Sequence, residues 1–309
     1  RAARMARVYG AIEGGGTKFV CAVATGPHDI IARVRFDTRT PDVTIPDAIA
    51  FIREASRGHD LAAIGVACFG PIELDVGVAY YGSVTTTVKP GWAHTPVVGP
   101  LREAFGVPVG FDTDVNGAAL GEARWGAAQG CDPAVYVTVG TGIGGGVIVN
   151  GAPLHGLMHP EIGHLPIPRI AWPDGRPDDY KGACSYHGGG CFEGLASGPA
   201  VGARAGRPAE EIPDDDPIWE LEAGYLALGL ATVVLALSPR RIVIGGGVMH
   251  RGNVLHRTRE RLLDVLAGYV GRPEVTVPNE AYVVTPRFGQ DAGLVGAIAL
   301  AEAAEQGAR

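Results

Sequence analysis

The sequence predicts an α/β protein built from two duplicated mixed-sheet units. Three observations carry this. A strand–glycine-turn–strand pattern occurs twice, around Gly14-Gly15-Gly16 and again from Gly140 to Gly146, about 125 residues apart. Helix and strand patterns alternate after both copies. With 309 residues, 46% hydrophobic and 19% charged, the chain has enough apolar content for packed cores and divides more readily into two lobes than one.

Residues 8–12 read as a buried strand, Gly14-Gly15-Gly16 as a tight turn, 19–24 as the returning strand and 30–36 as the third of a meander. Helical spacing marks 45–55, and 61–67 is an apolar strand closed by Gly70-Pro71. A helix over 98–105 leads to a strand over 107–111 and a helix over 115–125. The second copy then opens with a strand over 134–139, its glycine turn and a strand over 147–150. Residues 151–200 read as loop, and 208–217, with Asp214-Asp215-Asp216, as a solvated link. A long apolar helix over 220–237, a strand over 241–244, the turn Gly245-Gly246-Gly247, a helix over 254–266 and a strand over 282–284 follow. The closing helix, about 291–304, is expected to pack back on the first lobe. The lobes are expected over 8–114, joined by helix 292–305, and over 115–291.

Composition narrows the partners. A net charge of −7 disfavours a sequence-independent nucleic-acid binder, which must displace counterions. No apolar run reaches the ~18 residues that cross a bilayer. The basic residues 1–7 lack the apolar stretch of a signal peptide, with Met5 the expected start. The expectation is a cytoplasmic protein with neither nucleic acid nor membrane as partner. Among five cysteines, Cys21, Cys68 and Cys131 read as small core residues. Glycine supplies 47 residues, roughly twice its usual share, clustered at turns; this predicts backbone held close to a ligand.

Three constellations carry chemistry. The two glycine turns present unobstructed amides, a nest for phosphate oxygens, with Thr17, Thr141 and Lys18 beside them. In matching places of two halves they would clamp a nucleotide's phosphates, and Glu13 is placed to hold Mg²⁺ through water. Asp112 and Asp114 fall where a strand yields to a helix, the end at which α/β sheets bind ligands; one of the two reads as the helix cap. His164, Cys184, His187 and Cys191 supply the four N and S donors that tetrahedral Zn²⁺ prefers. A loop tied by zinc would hold Glu161 and Glu193 rigidly for a polyhydroxy substrate.

The run from Val139 through Gly142, Gly144, Gly146, Gly156 and Gly163-His164 resembles the signature of the ROK sugar kinases and repressors. Glu13-Gly14-Gly15-Gly16-Thr17-Lys18 is similar to that family's phosphate turn, although Glu13 stands where most members have Asp. Lys89-Pro90-Gly91-Trp92, Asp112–Gly117 and Gly194–Pro199 resemble its fructokinase branch. The resemblance implies a two-lobed, actin-like ATPase (ribonuclease H-like) fold with a zinc-binding loop, a homodimer, and ATP-dependent phosphorylation of a hexose. It implies Asp114 as general base, and Glu161, His164, Glu193 and Thr113 at the sugar. His164, Cys184, His187 and Cys191 would bind zinc. Gly15, Gly16, Thr17, Lys18, Gly140, Thr141, Gly142, Gly144, Gly245 and Gly246 would line the nucleotide. D-fructose is the expected acceptor, with Trp92 walling the pocket and Thr113 standing where glucokinases have Asn. Glucokinase, mannokinase and N-acetylmannosamine kinase are the alternatives. A sugar-sensing repressor would need a DNA-reading helix-turn-helix, for which residues 1–7 leave no room.

Overall fold

The computed structural model describes residues 5–276 and 280–307, so the first four residues of the basic leading stretch lie outside it. The described chain forms two compact units. Unit 1 comprises residues up to 129, 151–159 and 287 onward; unit 2 comprises 130–150 and 160–286.

In unit 1, strands β1 (Arg7–Gly14), β2 (Lys18–Gly26), β3 (Asp29–Asp37), β4 (Asp60–Cys68) and β5 (Val109–Thr113) form one sheet in the order β3-β2-β1-β4-β5. The first three make the predicted antiparallel meander, and β4 and β5 run parallel to β1. Parallel neighbours need crossovers, supplied by α1 (Pro41–Ala55) and α2 (Val98–Phe105). The central strands are nearly continuous apolar runs, whereas the edge strand β3 alternates exposed and half-buried residues. Pro41 starts α1, and Thr44, Ile45, Ala48 and Ile52 turn its buried face to the sheet.

The last helix, α9 (Ala292–Glu305), packs on β1, β4 and β5 and on α3 (Asp114–Trp125), all in unit 1, as the sequence predicts for the closing helix. Glycines permit the approach. A β-carbon at Gly65 would overlap the Ala297 carbonyl, and one at Gly110 the Leu300 carbonyl. Buried Glu122 on α3 fixes the entry to α9, its carboxylate accepting the Arg287 and Phe288 amides at 3.2 and 3.1 Å. Unit 1 therefore includes α3, where the sequence placed the division at 114/115; the α3–α9 packing accounts for the difference.

Two further expectations change here. Trp92 does not wall a pocket: it is fully buried between Phe19 and Phe69, its indole N–H donating to the Arg39 carbonyl at 2.7 Å. Cys21 and Cys68 are core residues as expected, but Cys131 is half-exposed.

In unit 2, β6 (Ala134–Val139) and β7 (Ile143–Val149) form the second glycine hairpin. Strand β8 (Arg241–Gly245) runs parallel to β6, and β9 (Val283–Val284) parallel to β8. The order β9-β8-β6-β7 repeats β5-β4-β1-β2 of unit 1, which is the predicted duplication. Helices α4 (Phe192–Ala196), α5 (Gly198–Ala205), α6 (Ile218–Leu237), α7 (Val254–Leu266) and the single turn α8 (Pro273–Thr276) complete it. By length and composition α6 is apolar enough to cross a membrane, contrary to the sequence expectation; here it is mostly buried, packed against α4, α5 and α7. Asp178 ties this core together, accepting from Arg204 at 2.7 Å and from the Tyr225 hydroxyl at 2.6 Å. The presumed solvated link is anchored: Ile212 is buried and the Pro213 carbonyl accepts from the Trp219 indole at 2.7 Å.

Gly65→Ala should lower stability by about 1–3 kcal/mol, the usual effect of overpacking. Gly99→Ala, on α2 with open space around it, should not lower it. Urea unfolding of both variants checks the pair.

Candidate active site and metal centre

Strands β1, β4 and β5 end together, with Glu13 beside Ala67 and Ala67 beside Asp112. This register brings the β1 carboxylate and the first residue of α3, Asp114, to one end of the sheet. The N-cap of α3 is Thr113, whose hydroxyl accepts the Asn116 amide at 3.0 Å. Neither Asp112 nor Asp114 caps the helix, because Thr113 holds the extended backbone from which a side-chain oxygen reaches the third helical amide. Thr113, expected at the sugar, is thus 3% exposed and engaged with its own helix.

Asp112 is buried and fixes the junction. One oxygen accepts from the Thr113 amide at 2.7 Å and the Asn116 side-chain amide at 2.8 Å; the other pairs with His155 Nε2 at 2.9 Å. That hydrogen bond, outweighing the effect of burial, lifts the His155 pKa. Sequence reading missed His155, since no local spacing relates it to Asp112 across 43 positions.

Asp114 accepts from the Val115 amide at 2.9 Å. Burial lifts its pKa to about 6, against the pull of backbone hydrogen bonds. Burial, and then the charge of Asp114, lift Glu13 to about 7, with Lys18 and Arg33 opposing. Gly293 on α9 makes room for Glu13: a β-carbon there would sit 2.7 Å from its carboxyl carbon. In the first glycine turn the Gly15 amide donates to Lys18 and the Thr38 hydroxyl to the Gly15 carbonyl at 2.6 Å, leaving Gly16 and Thr17 exposed.

In unit 2 the turn is narrower than the sequence suggests. Its amides bend over Gly140–Gly142, the Gly140 amide donating to Gly142, while Gly144 already pairs with Thr138 inside the hairpin ladder. Gly140 and Thr141 line a cavity of about 770 Å³ with Gly198, Gly247, Val248 and Arg251. Gly245 ends β8, and Gly246, at φ +96°, lies against Val139, where a side chain would overlap the backbone. Of the predicted glycine-turn residues, Gly140 and Thr141 line this hollow, whereas Gly245 and Gly246 lie outside its lining, where their neighbour Gly247 takes part.

His164, Cys184, His187 and Cys191 converge, with one ligand atom of each within 4.8 Å of the others. His164 Nδ1 lies 3.7 Å from Cys184 Sγ and 3.9 Å from Cys191 Sγ, and His187 Nδ1 lies 3.6 Å from Cys184 Sγ. Two thiols and two imidazoles so grouped fit a tetrahedral metal. Glu161 is exposed, just ahead of the short 3₁₀ turn Ile162–His164. Glu193, in the first turn of α4, accepts the Ile143 amide at 3.0 Å.

The ROK family model matches residues 9–304. A fructokinase of Zymomonas mobilis is 45% identical over 303 residues, covering 97% of this chain and 98% of that one. A glucokinase of Halalkalibacterium halodurans is 30% identical, covering 94% and 93%. The crystal structure of a ROK family glucokinase from Streptomyces griseus, in complex with glucose and AMPPNP, superposes with a TM-score of 0.73 at 28% identity, covering 96% of this chain and 99% of that one.

The raised carboxyl pKa values have a sign in stability. Glu13 near 7 and Asp114 near 6 bind protons in the folded state that free carboxylates, near 4, have already lost. Stability from these groups is full below about pH 4 and is lost as pH rises toward 7. Glu13→Gln removes one of the two, so its stability relative to wild type should rise between pH 5 and pH 8. Urea unfolding of both proteins across that range measures it; a constant difference would contradict the assignment.

Proposed function

The chain belongs to the ROK family, and on that premise we propose that it transfers the γ-phosphoryl of ATP to a hexose, with D-fructose as acceptor and fructose 6-phosphate as product. The observation that carries the chemistry is Asp114: a carboxylate at a strand end, oriented by one backbone amide and held near pKa 6. A base poised there is ionised at neutral pH yet basic enough to take a hydroxyl proton as the phosphorus–oxygen bond forms, worth about 10²–10⁴ in rate. Asp112, anchored by His155, keeps the β5–α3 junction in place beneath it.

Phosphoryl transfer is mainly positioning and neutralisation of phosphate charge. The Gly140–Gly142 turn and Thr141 receive the ATP phosphates, and the 770 Å³ hollow beside Gly247 and Val248 takes the nucleoside. In unit 1, Gly15, Gly16, Thr17 and Lys18 form a turn of their own that offers amides, a hydroxyl and a positive charge suited to phosphate oxygens. Glu161 and His164 hold sugar hydroxyls; with Nδ1 of His164 facing the thiols, Nε2 remains for the substrate.

Two metals fit the residues present. Glu13 is raised first by burial and then by the charge of Asp114, so a cation beside these two carboxyls would be favoured, and Glu13 would hold Mg²⁺ through water. His164, Cys184, His187 and Cys191 would hold Zn²⁺. When bound, Mg²⁺ offsets phosphate charge and Zn²⁺ cross-links the loop, adding binding energy that is also folding energy. A homodimer is proposed as the assembly.

Fructose is favoured by similarity: relatives named fructokinase are 38–45% identical, those named glucokinase 28–30%. With ATP and Mg²⁺, kcat/KM should be highest for fructose, weak for mannose, and lower still for glucose and N-acetylmannosamine. Glucose equal to fructose would overturn the acceptor; no phosphorylation of any hexose would overturn the kinase. Metal analysis of the purified protein should find about one zinc per chain, as a four-ligand site holds one ion, and well under one would overturn the zinc assignment.

A further inference from the structure

The Gly140–Gly142 turn is gripped by residues that adjoin the four metal ligands. Glu193, two positions after Cys191, accepts the amide of Ile143, the residue that closes the turn, at 3.0 Å. The Gly198 amide, at the end of the same short segment, donates to the Gly140 carbonyl at 2.7 Å. On the other side Gly163, next to His164, lies against the Ile143 carbonyl so closely that a β-carbon would overlap it. Gly142 itself is bare toward Glu193: a β-carbon there would sit about 2.5 Å from the carboxylate oxygen. Two chain segments, 161–164 and 191–198, thus hold the turn, and the ligands His164 and Cys191 draw those segments together.

We propose that Glu193 is a positioning residue for the nucleotide, transmitting the state of the Cys/His centre to the Gly140–Gly142 turn, so that metal occupancy sets ATP affinity. This goes beyond the sugar contact that the family resemblance implies for Glu193, and it rests on the reading that ATP phosphates lie on this turn. A carboxylate accepting one turn amide fixes the direction of the remaining amides before the phosphate arrives. Without that acceptor the turn must be ordered by the nucleotide itself, and the ordering is subtracted from affinity.

The test is the Kd of an unhydrolysable ATP analogue, measured by calorimetry without sugar on the metal-loaded protein. Glu193→Ala should weaken binding about tenfold, the order of a lost charge-assisted hydrogen bond, whereas Glu193→Gln, which keeps an acceptor oxygen, should stay within about threefold. Stripping metal from the wild type should weaken binding similarly, and stripping it from Glu193→Ala should add little, since both act through one contact. If the stripped proteins unfold, the two metal-loaded variants decide alone. A Glu193→Ala protein with wild-type ATP affinity, altered only in its KM for fructose, would overturn the proposal. Gly247→Leu separates the two claims: its backbone tolerates a side chain, which would enter the nucleoside hollow. If Gly247→Leu weakens the analogue but Glu193→Ala does not, the inference alone falls. If Gly247→Leu leaves affinity unchanged, the nucleotide reading falls and takes the inference with it.

Discussion

The closeness of α9 to the first sheet is the constraint on which the rest of unit 1 depends. The helix backbone lies directly on β4 and β5, because Gly65 and Gly110 present no side chains to it. The same approach sets Gly296 against Gly117 of α3 and Gly293 against Glu13. Had larger residues held α9 away, water would reach the ends of β1 and β5. Glu13 and Asp114 would then keep ordinary carboxylate pKa values, because burial is the leading cause of both shifts. Core packing and base strength are thus one problem in this protein.

Unit 2 solves a related problem with different means. Its glycine turn is held by single hydrogen bonds to short segments: the Ile143 amide to Glu193 and the Gly198 amide to the Gly140 carbonyl. Segments of that length have little intrinsic order. A metal held by the four donors, which lie within 4.8 Å of one another, would give this loop-rich region the rigidity that packing gives unit 1.

Much of this was legible in the sequence, for identifiable reasons. Both glycine hairpins, the crossover helices and α7 follow from periodicity and from glycine at turns, which act over a few residues. The Cys/His cluster was legible because three of its four ligands fall within eight positions, Cys184 to Cys191. What escaped depends on distant partners. Trp92 looked like a pocket wall and became core because Phe19 and Phe69 close over it. His155 finds Asp112, and Glu193 finds Ile143, through tertiary contacts that no spacing encodes. The cap of α3 was misread because two aspartates flank the threonine that takes the role.

The most direct measurement is kcat for fructose against pH, for wild type and Asp114→Asn. The wild-type profile should show an acid limb near pH 6, where burial holds the Asp114 carboxyl. In the variant that limb should vanish and kcat fall by about 10²–10⁴, while ATP and fructose still bind. A variant that keeps more than about a tenth of wild-type kcat, with the acid limb intact, would place the base on another group.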